Sequence, residues 1–518
     1  MTLDHPPSAA ATGTEAVSSG SPFDGLTTEQ LRAAGSPTRG VYIEAAPGSG
    51  KTTVSAHRFG TLRFSPSTPP LNTGRAVVAT SFTRAATTEL RQRVARLWGP
   101  EALSWPHRVV TIDTIIADLL THLLIEGVVT WPGGHTRLNV LDTWKVVTPC
   151  RHTTAQPHLA IDGANRIYTT QTITRRSLCP GQQAYAHHIG RGACTHDDVR
   201  QAMNLLLQQN AVQEAVSDRL ERTIRALIVD EVFDANELDL AIVRAAARAD
   251  VDITLVGDPW QAIYEFRGAR SALIEPFVQE LRLKTYPLTE SFRWESTEQQ
   301  ALADTLRAGR PVLLTPLPDT IEEPADVILG ARWDTLWTLG DHVLPLAFLS
   351  STTTPEEAAV TLLLNRMTRR AFTRQATFVG DALVTLATAD TFRVEDLDDP
   401  LAQILEQLAS ATDTQTTESV WPALTEIVAA VSHRRPRVEN LSCVRYLRLL
   451  HDRLGKPSSA LIPALTVHQA KGGEWPVVAV HLAVTERRQL AAGLSVNTAD
   501  DRLIYVACTR ARRRTYQA

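Results

Sequence analysis

The stretch IEAAPGSGKTT, Ile43 to Thr53, decides how the fold is read. Val41, Tyr42 and Ile43 form a short apolar, β-rich run ahead of it. Gly48 and Gly50 allow tight backbone geometry, and Thr53-Val54-Ser55-Ala56-His57-Arg58 can continue as a helix. The order strand, loop, helix makes Ala45-Ala46-Pro47-Gly48-Ser49-Gly50-Lys51-Thr52 a phosphate cradle rather than a chance turn. Backbone N–H groups point into such a loop, and the helix N-terminus adds a favourable dipole. Lys51 would reach the β- and γ-phosphates of a bound nucleotide, and Thr52 would hold Mg²⁺. The strict pattern has Gly at position 45, where this chain has Ala.

Composition sharpens that reading. Lys and Arg total 52, yet only Lys51, Lys145, Lys284, Lys456 and Lys471 are lysines. A chain that otherwise uses Arg has Lys where a compact phosphate-binding ammonium is needed. With 518 residues there is room for two to four domains and a substantial core. No run of eighteen or more apolar residues occurs, which predicts no membrane span and a cytoplasmic protein. Residues 1–22 lack a basic start and an apolar core, so they read as a disordered tail rather than a signal peptide. Cys150, Cys179, Cys194, Cys443 and Cys508 lack metal-binding spacing and read as buried free thiols. The net charge of −4 argues against a protein that coats duplex DNA by charge alone. A narrow single-strand channel remains open to it, because stacking and local Arg do much of that binding. Arg434-Arg435-Pro436-Arg437 and Arg512-Arg513-Arg514 are local basic spots, more often solvated faces than sites.

Further along, Val77–Thr80, Leu227–Asp230, Ile253–Val256 and Val477–Val480 are apolar runs without alternation, as parallel strands buried on both faces require. Helical patterns such as Ala85 to Leu97 and Asp197 to Leu207 lie between them, giving an α/β pattern. The strand Leu227-Ile228-Val229 ends in Asp230-Glu231, at the sheet edge where ligands bind in open α/β folds. There Asp230 could join the Mg²⁺ shell, and Glu231 could orient and deprotonate an attacking water. A second strand ends in Gly257-Asp258-Pro259-Trp260-Gln261, where Gln261 could feel the γ-phosphate. Tyr264 and Phe266 follow. On spacing alone both rings read as core; facing bases is the alternative.

Together these residues resemble the UvrD/Rep/PcrA-like superfamily 1 DNA helicases. The order of motifs carries the resemblance. Leu26 to Gln30 resembles the Q motif, with Gln30 on adenine. Thr80-Ser81-Phe82-Thr83-Arg84 resembles motif Ia, with Phe82 against single-stranded DNA. Asp230 to Asp234 resembles motif II, and Val256 to Ala269 resembles motif III. Leu288 to Arg293 resembles motif IV, implying Phe292 stacked on adenine and Arg293 near the γ-phosphate. Thr466 to Pro476 resembles motif V, with His468 and Lys471 at the DNA or coupling surface and Glu474 on the ribose. Tyr505 to Arg512 resembles motif VI, with Arg510 as arginine finger. The departures are Thr53 where Arg often packs on adenine, Asp113 where His is usual, Phe233 where Gln is common, and Trp260 where an acid is common.

The resemblance implies an α/β fold of two RecA-like P-loop lobes with parallel sheets, plus inserted, mainly helical subdomains. The first lobe is expected at 23–98 and 215–285, with an insertion at 99–214. The second lobe is expected at 286–394 and 459–518, with a smaller, reduced insertion at 395–458. The implied catalytic residues are Lys51, Glu231, Gln261, Arg293 and Arg510. The ATP set is Gln30, Ala45, Ala46, Pro47, Gly48, Ser49, Gly50, Lys51, Thr52, Phe292 and Glu474, and the metal ligands are Thr52 and Asp230. Phe82, Tyr264, Phe266, His468 and Lys471 would meet DNA. The implied activity is ATP-driven 3′ to 5′ movement on single-stranded or tailed duplex DNA. The alternative is a DNA-stimulated ATPase or DNA-end sensor that regulates a separate nuclease in a repair or defence complex. A small-molecule kinase would have no use for Arg510 and Thr466 to Glu474 in a second lobe.

Overall fold

A computed structural model describes residues 23–64, 74–318, 324–389, 391–411 and 414–518. The segment 1–22, read as a disordered tail, lies outside them. Six strands form the first sheet: β1 (Val41–Ala45), β2 (Ala76–Ser81), β3 (Arg108–Thr111), β4 (Ile224–Val229), β5 (Asp252–Gly257) and β6 (Lys284–Leu288). Their order is β6-β1-β5-β4-β2-β3, and every neighbouring pair is parallel. All of β2 is buried, as is nearly all of β1, β4 and β5, which explains why their sequences do not alternate. The strand β3 lies inside the range assigned to the first insertion. The boundary expected at 285/286 falls within β6, which pairs with β1 from Lys284 to Leu288.

Five strands form a second parallel sheet: β7 (Val327–Gly330), β8 (Val343–Pro345), β9 (Ile462–Thr466), β10 (Trp475–Val480) and β11 (Ala511–Gln517). Their order is β8-β9-β7-β10-β11. The molecule is thus an α/β protein of two parallel-sheet lobes.

Two excursions leave the sheets. Between β3 and β4, helices Ile112–Ile125, Gln182–Gly190, His196–Leu206 and Asn210–Thr223 flank an antiparallel hairpin of Arg151–Ile161 and Ile167–Cys179. Leu119, Leu123, Trp131, Tyr185, Met203 and Leu206 share one apolar core with Leu227 and Val229 of β4. Between β8 and β9, helices from Pro355–Phe372 through Val444–Leu454 enclose a separate core around Leu363, Leu405, Trp421 and Leu447. That core takes in Pro355–Phe372 and Val379–Leu386 as well as helices from the 395–458 range. Among the described residues, no helix is long and apolar enough to cross a membrane. The five cysteines are free thiols, four of them buried and Cys150 partly exposed.

Candidate functional site

Because β1, β5 and β4 are neighbours, their carboxyl ends place the P-loop, the Asp258–Gln261 loop and Asp230–Glu231 side by side. The P-loop is formed by tethered carbonyls. Ser291 Oγ donates to Pro47 O at 2.7 Å, the Phe292 N–H to Gly48 O at 2.9 Å, and Gln30 Nε2 to Ser49 O at 2.9 Å. In a planar trans peptide the N–H points opposite the carbonyl, so these tethers turn the following amides toward the cradle. Gly48 and Gly50 adopt φ of +71° and +82°. A Cβ at Gly48 would lie 2.5 Å from Arg293 Cβ, and one at Gly50 would lie 2.8 Å from Gln30 Nε2. Both glycines are therefore fixed by left-handed backbone and by crowding. Lys51 opens helix Lys51–Phe64, and Thr52 follows it.

The carboxylates face this cradle. Asp230 is buried, and its N–H donates to Thr80 O at 2.8 Å, continuing the β4–β2 ladder by one residue. Glu231 sits at φ +58°, ψ +43°, a left-handed conformation that a non-glycine residue holds only where its surroundings enforce it. Its two oxygens lie 4.0 Å from Lys51 Nζ and 3.8 Å from Lys471 Nζ. Burial raises Asp230 above the usual carboxylate range, and neighbouring Glu231 pushes it further the same way. Burial would raise Glu231 too, but Lys51, Lys471, Arg510 and Arg293 outweigh it and hold that carboxyl low.

Lys471, Arg510, and Arg293's partners Glu474 and Thr509 belong to the second lobe. Arg293 Nε donates to Glu474 Oε1 at 2.8 Å and its Nη1 to Thr509 O at 3.0 Å. Arg510 is 0% exposed, and its Nε donates to Val506 O at 3.1 Å. Its Nη2 is buried with no partner among the described residues. Burial, then the adjacent Arg293, push the Arg510 guanidinium down to about 9. Two guanidinium groups crowded in a dry seam, one with an unsatisfied donor, are a built anion site. An Mg²⁺-bound polyphosphate fits this donor set: amides and cations for the phosphates, Thr52 and Asp230 as hard oxygen ligands. Among the described residues there is no cluster of three or more metal-ligating side chains, so such a metal would draw most of its ligands from elsewhere.

Several expected residues are already engaged. Gln30 Oε1 accepts from the Thr27 N–H, closing a capping box, so its carboxamide supports the P-loop on one side and a helix start on the other. Gln261 is buried and donates to Asp258 Oδ2 at 2.7 Å. Glu474 is bound to Arg293. Phe292 is exposed beside the P-loop.

Of the expected DNA contacts, Phe266 is 66% exposed, while Tyr264 is partly packed and donates its hydroxyl to His468 O at 3.1 Å. The His468 ring lies 4.8 Å from Phe266 and 6.1 Å from Tyr264. Phe82, at the end of β2, is partly buried against the first core. Lys471 turns inward: its ammonium bonds both Asp234 oxygens at 2.7 and 2.8 Å and lies over the Tyr264 ring. A buried ammonium bound to a carboxylate is in no position to meet a DNA phosphate, so its place is a bridge between lobes.

Sequence reading gave no separate role to Ser291, Asp234, Asp258, Arg307 and Arg502, each of which has at least one partner far away in the chain. The departures find physical reasons. Asp113 accepts from Arg200 Nε at 2.6 Å, and Arg93 reaches the Thr53 hydroxyl. Phe233 packs against Gly257, where a Cβ would lie 2.7 Å from its ring.

These features define a P-loop α/β fold whose candidate site is lined by residues of both lobes. The UvrD/REP helicase N-terminal domain matches residues 26–128 and 160–282, and the UvrD-like helicase C-terminal domain matches residues 461–516. The chain belongs to this UvrD-like helicase family. It is 24% identical over 305 residues to DNA helicase II of Escherichia coli, covering 53% of this chain and 38% of that protein. It is 33% identical over 127 residues to the ATP-dependent DNA helicase Rep of the same organism, covering 24% and 18%. A putative ATP-dependent DNA helicase, YjcD of Bacillus subtilis, is 24% identical over 345 residues, covering 60% and 44%. The chain thus spans less than half the length of each of these relatives.

Proposed function

We propose that the chain is an ATP-dependent DNA helicase or translocase that moves 3′ to 5′ on single-stranded DNA. The observation that carries this reading is the buried Arg510, with its unpaired Nη2, beside Arg293 and opposite Glu231 across the lobe seam. In this reading the P-loop amides and Lys51 bind the phosphates of ATP. Mg²⁺, held by Thr52 and Asp230, would offset phosphate charge. Glu231, kept ionised by the surrounding cations, accepts a proton from the attacking water. Gln261 orients that water or the terminal phosphoryl. Arg293 and Arg510 stabilise charge on the transferring group, which for an arginine finger is worth ~10³-fold or more in rate. Gln30 and Phe292 flank the adenine, and Glu474 meets the ribose once Arg293 turns to phosphate. Hydrolysis then requires both lobes in contact, and their parting moves Phe82, Tyr264, Phe266 and His468 relative to the strand. Stacking of ~1–3 kcal/mol per base suits a grip that must also release.

The test is steady-state hydrolysis of ATP with and without single-stranded DNA, followed by strand displacement on 3′- and 5′-tailed duplexes. DNA stimulation and a 3′-tail preference are expected. Turnover indifferent to DNA removes the motor reading, and displacement from 5′ tails alone reverses the polarity. Stimulated hydrolysis without displacement from either tail leaves a translocase, or a sensor that regulates a nuclease partner.

A further inference from the structure

Trp260 follows β5 of the first lobe, yet its side chain belongs to the apolar core of the second, with Leu306, Val467, Ala470 and Tyr505. It is 7% exposed, and its ring centroid lies 4.6 Å from that of Tyr505. Second-lobe arginines hold the same loop from both sides. Arg502 donates from Nε to Ala262 O at 2.7 Å and from Nη2 to Glu265 Oε1 at 2.6 Å. Arg307 Nη1 reaches Asp258 Oδ1 at 3.2 Å, and the other Asp258 oxygen accepts from Gln261. Tyr505 and Arg502 lie on helix Ala499–Cys508, two residues before Arg510. One indole therefore joins the loop that carries Gln261 to the helix that delivers Arg510.

We propose that Trp260 is a positioning residue that clasps the two lobes before nucleotide binds and sets Gln261 in register with Arg510. The proposal rests on the reading of the seam as the ATP site. Parting the lobes here would wet a large aromatic face and strip the buried Arg502 of two of its three acceptors, Ala262 O and Glu265 Oε1. The clasp thus keeps the closed arrangement dominant without ligand. A ligand that binds only the closed arrangement then loses little affinity to closing it. The acid common at this position in the family could not sit ionised in this apolar setting without a partner. An acid there would leave closure to the nucleotide.

The test uses the full chain with Trp260→Asp, Trp260→Phe and Arg502→Gln. Solution scattering without nucleotide reads lobe separation directly; ATP titration of DNA-stimulated hydrolysis gives KM and kcat. Trp260→Asp should expand the nucleotide-free protein, and a non-hydrolysable ATP analogue should restore its dimensions. If the closed fraction falls to about a tenth, KM rises about tenfold, with kcat within about threefold of the parent. Trp260→Phe should stay near the parent, and Arg502→Gln should fall between. If Trp260→Asp does not fold, Arg502→Gln carries both readouts. Parental scattering in both variants overturns the proposal, as does a fall in kcat with KM unmoved. Should the parent hydrolyse no ATP, the nucleotide-site reading fails, while scattering without nucleotide still decides the clasp.

Discussion

The two lobes share a parallel-sheet architecture and differ in what their strand ends carry. The first presents a phosphate cradle, Asp230, Glu231 and the Asp258–Gln261 pair. The second presents cations: Lys471 after β9 and Arg510 just before β11. Each is unfavourable in isolation. Asp230 is raised by burial, and Arg510 is pushed down to about 9 by burial and by Arg293. Set against each other, the cations hold Glu231 ionised, and a bound polyphosphate would relieve the crowded guanidiniums. On the proposed reading, one sheet binds nucleotide and the other completes the site. Fold similarity alone would not predict that division, because it lies in the residues at the strand ends.

The sharpest way to break this comparison is to remove one cation from each side. Lys51→Ala and Arg510→Ala should each lower kcat for ATP hydrolysis by about 10³-fold. Their effects on binding should separate. Lys51→Ala weakens ATP binding as well, whereas Arg510→Ala leaves it within about tenfold, as measured by nucleotide titration. Normal turnover in Arg510→Ala would mean that Arg510 does not take part in the chemistry.

This asymmetry also explains what the sequence made legible. Gly48, Gly50, Lys51 and Thr52 form a local pattern, and Asp230-Glu231 closes an apolar strand, so both could be read from a dozen residues. The tethers that shape the same loop come from Ser291 and Gln30, at separations of 244 and 19 residues, and leave no local signature. Spacing could not tell that Tyr264 packs while Phe266 stays exposed, because neighbours from the other lobe decide it. Lys471 was legible as a motif residue but not as a bridge, since its partner Asp234 is 237 positions away. The strand β3 fell outside the expected first lobe and β6 straddled its boundary, because short strands at a sheet margin have little pattern of their own.

A second contrast concerns how each lobe fastens its helices. Arg200, on helix His196–Leu206, bridges Asp113 and Asp239 at 2.6 and 2.8 Å. Arg453, at the end of the second lobe's helical core, donates to carbonyls, Val343 at 2.5 Å, Trp337 and Leu449 at 2.9 Å and Gly340 at 3.0 Å, and lies over the Trp337 ring. Arg200→Ala strands the buried Asp239 as an unpaired charge, an expected loss of ~3–5 kcal/mol in denaturant titration. Arg453→Met keeps the apolar stem and leaves carbonyls unmet, an expected loss of ~1–3 kcal/mol. Equal losses would show that the charge pairing at Arg200 adds nothing beyond hydrogen bonding. Asp113→Asn, on the partly exposed arm, should cost under ~1 kcal/mol.

A last test probes the first lobe by pH. His107 is buried, and its Nδ1 accepts the Val77 N–H at 2.9 Å, so the ring is needed neutral. Burial, then Arg63 and Arg225, push it down to about 4. Its unfolded value is near 6.5, so the unfolded chain binds the extra proton first. The stabilisation is therefore complete above pH 6.5 and lost as pH falls toward 4, on the order of 2 kcal/mol. Asp230 and Asp234 run the other way: raised by burial, they favour the folded state as pH falls through their range. The parental pH profile alone would blur the two. His107→Asn keeps an acceptor for Val77 but cannot titrate, so the difference between parent and variant isolates the imidazole. Urea midpoints at pH 7.5 and 4.5 should fall further in the parent than in the variant. Parallel falls would mean that the ring near β2 is not held neutral, and that the acid sensitivity lies in other groups.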